Sequence, residues 1–192
     1  MSAAISKTGY WDGQNAHIHH VHSESLANFI TGFLYPDKDK RVWDLGCGLG
    51  EYLRTLEQQG FYYLIGIEGD VPVKKVSNHI YKGDLTKRMD VVETERGNVI
   101  CLEVLEHIPA EYTDIVLDNI EQCCNGYLIL SWAVRGQPGY GHVNCLDNHE
   151  VINIFEKRGF KYLPEQSADA RGIVGDNTPW FRNTIMIFEK YD

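Results

Sequence analysis

Short apolar runs alternate along the chain with longer stretches whose apolar residues recur every three or four positions. The longer stretches predict helices at 23–34, 49–59, 112–123 and 148–158, with Ser23 as the N-cap of the first. The short runs predict seven strands, at 41–45, 62–67, 79–82, 99–102, 127–133, 160–163 and 184–189. This alternation predicts an α/β fold with a doubly wound, mostly parallel sheet. Such sheets bind ligands beyond the carboxyl ends of their strands, so we expect the chemistry directly after each strand.

The composition is that of an ordinary globular domain. Of the 192 residues, 43% are hydrophobic and 23% are charged, which excludes a disordered chain, a collagen-like fibre and a coiled coil. The length predicts one domain over residues 1–192, with an N-terminal lid segment and helix in 1–35 and a core in 40–190. No run approaches roughly 18 apolar residues and no apolar signal stretch opens the chain, so we expect a cytoplasmic protein without a membrane partner.

The charge balance narrows the expected partners further. Lysine and arginine number 18 against 27 aspartates and glutamates, a formal net charge of −9. Proteins that bind nucleic acid through its phosphates usually carry the opposite excess, so we expect no nucleic-acid partner. The five cysteines form no C-x-x-C pair, which favours free thiols in a reducing compartment.

A glycine-rich turn, D-L-G-C-G-L-G at residues 44–50, follows the first predicted strand. Gly46, Gly48 and Gly50 let the backbone turn sharply and approach a ligand, and the next helix offers free N–H groups at its start. Asp44 would repel a pyrophosphate, and the spacing is G-x-G-x-G rather than G-x-G-x-x-G. Both features disfavour a nicotinamide-dependent dehydrogenase and favour a ligand with cationic character.

Two further acidic residues follow the second and third predicted strands. Glu68 lies 18 residues after Gly50, where an acidic side chain would bind ribose hydroxyls. Asp84 follows the third strand in the sequence G-D-L, where it could reach an adenine amino group. These positions predict a nucleoside ligand next to the glycine turn.

A run of acidic and imidazole side chains, E-V-L-E-H, follows the fourth predicted strand. In a helical turn Glu103, Glu106 and His107 would share one face. His142, in the loop after the neighbouring fifth strand, could close the set. Carboxylates and imidazoles at one strand end predict a site for Mg²⁺ or Mn²⁺. Two alternatives stay open, in which His107 is a metal-free general base or has a structural role.

These motifs resemble those of the class I S-adenosylmethionine-dependent methyltransferases. The resemblance rests on DLGCGLG, GIEGD, GDL and CLEVLEHIP and covers roughly residues 40 to 190. It implies a seven-stranded, Rossmann-like sheet whose last strand is antiparallel, with S-adenosylmethionine as cofactor. The glycine turn would surround the methionyl part, Glu68 the ribose, and Asp84 with Leu85 the adenine. The implied cofactor-binding residues are Asp44, Gly46, Cys47, Gly48, Gly50, Glu68, Gly69, Asp84, Leu85 and Glu103.

The E-x-x-E-H signature with a later histidine resembles the metal sites of small-RNA 2′-O-methyltransferases and ubiquinone-pathway O-methyltransferases. Both act on a hydroxyl beside another oxygen, which implies O-methylation assisted by Mg²⁺ or Mn²⁺. The implied metal ligands are Glu103, Glu106, His107 and His142. His107 and His142 are also the candidate catalytic residues, because a histidine that is not a ligand can accept the proton of the hydroxyl.

The wider pattern resembles a family of small stand-alone methyltransferases of bacteria, phages and large DNA viruses of algae. It comprises TGYW with a histidine-rich segment, EVLEHIPAEY, LSWAVRGQPGYGHVN and PWFRNT. Some viral members are linked to O-methylation of glycan sugars such as rhamnose, which implies a sugar or glycan acceptor and, for a viral protein, the host cytoplasm. The alternatives are methylation of an RNA 2′-hydroxyl, metal-free O-methylation of a small molecule, and a cofactor-binding regulatory subunit.

Aromatic and histidine residues near both ends could complete the site. The histidine-rich segment 17–22 is expected to form a lid over the cofactor or a second metal site. Tyr10 and Trp11 could stack on a ligand or pack against the first helix. Trp180 could be a platform for a sugar with Arg182 as a hydroxyl donor, or an aromatic plug under the sheet edge.

Overall fold

The computed structural model describes residues 5–12, 20–72 and 74–191, and the centre of this part of the chain is a seven-stranded sheet. The strands are β1 Arg41–Leu45, β2 Leu64–Glu68, β3 Ile80–Lys82, β4 Gly97–Leu102, β5 Cys124–Ser131, β6 Phe160–Tyr162 and β7 Met186–Lys190. Their order is β3-β2-β1-β4-β5-β7-β6. Strands β1 to β5 are parallel to one another, whereas β7 runs antiparallel to both β5 and β6. The predicted doubly wound, mostly parallel sheet with an antiparallel last strand is confirmed.

Helices cover both faces of this sheet. In the described ranges they are α1 Glu24–Leu34, α2 Glu51–Gln58, α3 Thr113–Cys123, α4 Asn148–Lys157, α5 Pro164–Gly172 and α6 Phe181–Thr184. Helices α3 and α4 contribute apolar residues to one buried core, and the other four helices contribute to a second. Leu128 and Leu130 of β5 belong to the first core and Ile129 to the second. Because alternate residues of a strand point to opposite sides, the two cores lie on opposite faces of the sheet.

The strand order reverses between β1 and β4. From β1 the chain builds outward through β2 to β3, and then returns to place β4 on the other side of β1. The connections after β1 and β4 therefore leave the sheet in different directions, and this opens a crevice at the carboxyl ends of these two strands.

Several elements differ from the prediction, and the reasons are clear for three of them. Helix α5 was not predicted, because its buried side chains are the small residues Ser167 and Ala170 and leave no apolar periodicity. Strand β5 begins at Cys124 instead of 127, directly after α3, since Cys124 already pairs with Gly97 of β4. Strand β7 begins at Met186 instead of 184, because Thr184 ends α6.

Within the described ranges, every helix is too short or too polar to cross a membrane. The division into a lid segment and helix in 1–35 and a core in 40–190 stays a prediction.

Ser23 caps helix α1, as predicted. Its buried hydroxyl accepts a hydrogen bond from the backbone N–H of Leu26 at 3.4 Å. We expect Ser23→Ala to lower the free energy of unfolding by about 1 kcal/mol, because the N–H loses its acceptor at the helix start. Chemical denaturation measures this loss, with Asn28→Ala at an exposed position of the same helix as the control. Equal losses in the two variants would contradict the capping role.

Candidate active site

A cavity of about 560 Å³ opens where the strand order reverses. The loops after β1, β2, β3, β4 and β5 line it, together with the N-terminal segment and the residues before α6. Five acidic residues lie on its wall: Asp44, Glu51, Glu68, Asp84 and Glu103. Among the described residues that line the cavity, none is a lysine or an arginine. The wall therefore favours a ligand that carries positive charge.

The glycine turn borders this cavity in backbone conformations that favour glycine. Gly46 has a φ of 77°, and a Cβ there would lie 2.4 Å from the side chain of Val104. Gly48 has a φ of 54°, and a Cβ there would lie 2.4 Å from the ring of His20. Any side chain at either position would therefore be strained and would displace a neighbour.

Eight of the ten predicted cofactor-binding residues line the cavity. These are Asp44, Gly46, Cys47, Glu68, Gly69, Asp84, Leu85 and Glu103. Gly48 and Gly50 do not line it, because His20 covers the first and Ser77 with Ile80 packs against the second. The structure thus brings most of the set together and gives the last two glycines a role in the turn itself.

Glu68 ends β2 and joins two loops at the edge of the cavity. Its carboxylate accepts hydrogen bonds from the backbone N–H groups of Gly48 and Gly69, each at 2.9 Å. Burial raises the pKa of Glu68, and these hydrogen bonds partly offset the increase. The side chain therefore holds the glycine turn against β2 as well as facing the ligand space.

Asp84 lies on the cavity wall beyond β3. One of its carboxylate oxygens accepts hydrogen bonds from the N–H and the hydroxyl of Thr86, at 3.0 and 2.7 Å. The adjacent Leu85 is buried and also lines the cavity. The carboxylate is suited to the polar edge of a heterocyclic base, and the apolar side chain beside it is suited to the face of that base.

Asp44 is the most deeply buried acid of the cavity. Its side chain is 2% exposed, and its Oδ2 atom has no hydrogen-bond partner in the described part of the chain. Burial, with a smaller effect from the charge of Glu68, raises the pKa of Asp44 to about 8. A buried carboxyl without a partner is costly in the ionised form, so this position is suited to a cationic group of a ligand.

The E-x-x-E-H run forms a short 3-10 turn, Leu105–His107, instead of the α-helical turn that the spacing predicted. Glu106 is fully buried, and within the described residues neither of its carboxylate oxygens makes a hydrogen bond of ordinary geometry. Burial and the charge of the adjacent Glu103 raise the pKa of Glu106 well above its usual range. Its backbone carbonyl accepts hydrogen bonds from the N–H groups of Val143 and Asn144, at 2.8 and 3.0 Å. These bonds fix the loop after β5 against the turn and place His142 beside it.

Glu106, His107 and His142 offer ligand atoms that all lie within 4.8 Å of one another. The Nδ1 atoms of both histidines contact backbone carbonyls, His107 that of Gly141 at 3.3 Å and His142 that of Gln137 at 3.2 Å. A carbonyl can only accept, so each Nδ1 is the donor in these contacts. Burial, aided by His142, lowers the pKa of His107 to about 4, so this imidazole is neutral at pH 7.

Glu103, the predicted fourth ligand, lies outside this group. It has a φ of 54°, unusual for a residue with a side chain, and its N–H donates to the hydroxyl of Ser131 at 2.7 Å. Its carboxylate accepts hydrogen bonds from Gln137 at 3.3 Å and from Thr184 at 3.5 Å. Its carboxylate still interacts with that of Glu106, so the left-handed backbone alters the helical face without separating the two acids.

The N-terminal segment covers the cavity from above. The ring of Tyr10 packs on Gly69, where a Cβ would lie 2.3 Å away, and His20 packs on Gly48. Trp11 meets His107 edge-on, with ring centroids 5.4 Å apart. The predicted lid includes residues 17–19, which lie outside the described residues, but the described parts on either side of them border the cavity.

One of the side chains expected at the ligand lies elsewhere, and two residues of the cavity wall were not predicted. Trp180 lines the cavity, whereas Arg182 is bonded to the carbonyl of Val174 and to Asp176 instead of facing a ligand. Gln137 and Tyr52 also line the cavity, although no local motif indicated them. Their positions follow from the loop after β5 and from the first turn of α2.

Comparisons with known proteins agree with this fold. A family model described as "Methyltransferase domain" matches residues 17–165. The fold is similar to that of magnesium protoporphyrin IX methyltransferase from Synechocystis PCC 6803, solved with bound S-adenosylhomocysteine. The two chains are 20% identical with a TM-score of 0.61, over 86% of this chain and 82% of that one. A search of curated proteins found no match.

Two other solved structures share the fold. One is an amino pentose methyltransferase from Micromonospora echinaspora, solved with bound S-adenosylmethionine. It is 13% identical with a TM-score of 0.61, over 86% of this chain and 90% of that one. The other is the methyltransferase domain of bacterial CtHen1-C, which is 16% identical with a TM-score of 0.59, over 88% of this chain and 98% of that one.

Proposed function

The chain belongs to the methyltransferase-domain family, and from this premise we propose that it transfers a methyl group from S-adenosylmethionine to a hydroxyl of a sugar or glycan, assisted by a divalent cation. The prediction of a methyltransferase is confirmed by that membership. The methyl donor, the acceptor and the cation are parts of the proposal, and the site supports each of them separately.

The acidic half of the cavity fits the cofactor. S-adenosylmethionine supplies an activated methyl group on a positively charged sulfur when it is bound. Asp44 offers a buried oxygen without a partner, and four further carboxylates surround the same space. Glu68 holds the glycine turn in place, while Asp84 and Leu85 present a polar and an apolar contact beyond β3. S-adenosylhomocysteine in the protoporphyrin methyltransferase, which has the same fold, supports this assignment.

The cluster of Glu106, His107 and His142 is the observation that carries the O-methyl transfer. A buried carboxylate and two imidazoles, whose possible ligand atoms lie within 4.8 Å of one another, fit Mg²⁺ or Mn²⁺. These three residues would hold the cation, and a bound cation lowers the pKa of a coordinated hydroxyl. Gly141 and Gln137 orient the imidazoles through their carbonyls.

The remaining wall supports a sugar as the acceptor. Trp11, Tyr140 and Trp180 lie on the same cavity as His107, together with the amide of Gln137. Aromatic faces beside polar groups match the apolar faces and hydroxyls of a sugar ring. The amino pentose methyltransferase shows that this fold accommodates a sugar acceptor in another protein. A rhamnose unit of a glycan, which the sequence resemblance implied, is our preferred acceptor.

One alternative mechanism has an observation in its favour. The neutral imidazole of His107 could accept the hydroxyl proton without a cation. Methylation of an RNA 2′-hydroxyl is disfavoured by the net charge of −9 and by the acidic wall. A regulatory subunit without catalysis is disfavoured by the buried carboxylate of Glu106 beside two histidines.

Calorimetric titration with S-adenosylmethionine, followed by a methyl-transfer screen, tests the proposal. The screen presents deoxysugars, glycans and RNA to the protein, with and without a chelator. We expect cofactor binding and chelator-sensitive methylation of a sugar hydroxyl. Absence of cofactor binding would contradict the whole proposal, and methylation of RNA alone would replace the sugar by the alternative acceptor.

A further inference from the structure

The loop after β5 carries His142 and has two halves that are held differently. The half that follows His142 is fixed by backbone hydrogen bonds to the carbonyl of Glu106. In the half that precedes it, every residue of 135–140 except Gln137 is exposed, and Gly136 turns the chain with a φ of 83°. This exposed half buries few apolar groups, so its position depends on specific polar contacts.

Gln137 makes three such contacts, in three directions. Its N–H donates to the carbonyl of Val134 at 3.0 Å, which closes a turn at the start of the loop. Its side-chain Nε2 donates to Oε2 of Glu103 at 3.3 Å, and its carbonyl accepts a hydrogen bond from Nδ1 of His142 at 3.2 Å. The residue whose carbonyl orients His142 is therefore the one whose side chain reaches Glu103.

Glu103 is a fixed point of attachment for that side chain. Its N–H donates to the hydroxyl of Ser131 in β5, and the hydroxyl of Thr184 in α6 donates to its carboxylate at 3.5 Å. The carboxylate of Glu103 also interacts with that of Glu106. A hydrogen bond from Gln137 to Glu103 consequently fixes the exposed half of the loop relative to the acid of the candidate cation cluster.

The ring of His142 depends on the exposed half of the loop for its orientation. It packs on Gly139, where any side chain would collide with it, and it faces the ring of His107 with centroids 5.1 Å apart. Gly139 belongs to the exposed half, so a shift of that half moves the surface on which the imidazole rests. Because an imidazole binds a cation through one particular nitrogen, a change in ring orientation alters the site even where the rest of the cluster stays fixed.

We propose that Gln137 is a positioning residue for the candidate cation cluster. Its amide ties the exposed half of the loop to Glu103, and its carbonyl sets the imidazole of His142 toward Glu106 and His107. The inference rests on the proposed function, because it concerns how the cluster of that site keeps its shape. Gln137 is not required to bind the cation or the cofactor, since it acts through Glu103 and His142.

Two measurements on Gln137→Ala test this role. In the protein without metal, nitrogen-edited NMR of the histidine rings follows the Nδ1 proton of His142, which is assigned from the spectrum of His142→Ala. We expect this proton signal to be lost by exchange with water in Gln137→Ala. Titration with Mn²⁺, followed by the electron paramagnetic resonance of the free ion, should show an affinity about 10–100-fold weaker. Gln58→Ala, at an exposed glutamine of α2, is the matched control and should change neither measurement.

A double-mutant cycle separates positioning from a general structural role. In a Glu103→Ala protein the amide of Gln137 has lost its partner, so adding Gln137→Ala should cause no further loss of Mn²⁺ affinity. The Nδ1 proton of His142 is followed through the same cycle, so the test also holds for a variant that no longer binds Mn²⁺. Gln137→Asn keeps an amide but is one methylene shorter. It should reproduce the alanine result and replaces Gln137→Ala if that variant does not fold.

The contrary results can be told apart. Additive losses in the cycle would assign Gln137 a general structural role and overturn the inference. An unchanged Nδ1 proton together with an unchanged Mn²⁺ affinity would remove the role of Gln137 altogether. Failure of the unmodified protein to bind Mn²⁺ would instead contradict the cation of the proposed function, and the Nδ1 proton alone would then decide whether Gln137 orients His142.

Discussion

Replacement of His107 by alanine is expected to lower the rate of methyl transfer about 10²–10⁴-fold, because the imidazole stands at the acceptor side of the cavity as a cation ligand or a base. If Glu106, His107 and His142 hold one cation, Glu106→Gln and His142→Ala should cause losses of similar size, since ligands that act as a unit are not additive. Excess chelator should abolish turnover and leave cofactor binding intact, and Mg²⁺ or Mn²⁺ should restore activity.

Steady-state rates, with cofactor binding measured in parallel, decide this prediction. His79→Ala is a suitable control, because His79 contacts Glu57 outside the cavity and should not affect turnover. Activity that is insensitive to chelator, together with a mild effect of His142→Ala and a severe effect of His107→Ala, would reject the cation. The metal-free base mechanism would then take its place.

Asp44→Asn is expected to weaken binding of S-adenosylmethionine about 10–100-fold. The substitution keeps the shape of the side chain but removes the charge that would pair with a cationic ligand, and charge-assisted hydrogen bonds are the stronger ones. Calorimetry measures the loss, and Asp39→Asn on the surface is the control. Unchanged affinity in a folded Asp44→Asn protein would remove Asp44 from the binding site.

The raised pKa of Asp44 adds a pH signature to the same experiment. At pH 7 a carboxyl with a pKa of about 8 is mostly protonated, and a cationic ligand favours its ionised form. Binding should therefore release protons, and affinity should rise from pH 6 to pH 8 in the unmodified protein but not in Asp44→Asn. In the ligand-free protein, pH has the opposite effect on stability. Its pKa is raised above the unfolded value, so the stability from Asp44 is complete below about pH 4 and is lost as the pH rises through 8.

Much of the site could be predicted because its motifs are local and parallel strands align them. Asp44 and Glu68 lie near the carboxyl ends of β1 and β2, and Asp84 follows β3. Neighbouring parallel strands bring their carboxyl ends to the same edge of the sheet. The approach of His142 to His107 follows in the same way from the pairing of β4 with β5. Short connections and right-handed crossovers leave few possible strand orders, and this arrangement is one of them.

What could not be predicted depends on contacts between distant segments or on backbone geometry. The packing of His20 on Gly48 requires the path of the N-terminal segment, which no pattern in the sequence indicates. The left-handed backbone of Glu103 requires the hydroxyl of Ser131 from the neighbouring strand. The helical turn that would place Glu103, Glu106 and His107 on one face does not form, because residues 105–107 make a 3-10 turn and Glu103 has a left-handed backbone.

The direction of β7 has a practical consequence for how metal binding is measured. Because β7 runs antiparallel to β5, the chain leaves the sheet at the edge opposite the cavity, about one strand length or ~17 Å away. The N-terminal segment behaves differently, since Ile5 lies against Gly141, next to His142. A polyhistidine purification tag attached to the N-terminus would bring extra imidazoles toward Glu106, His107 and His142 and compete for added cations. With a tag joined after β7, the only imidazoles near the cluster are those of the protein itself.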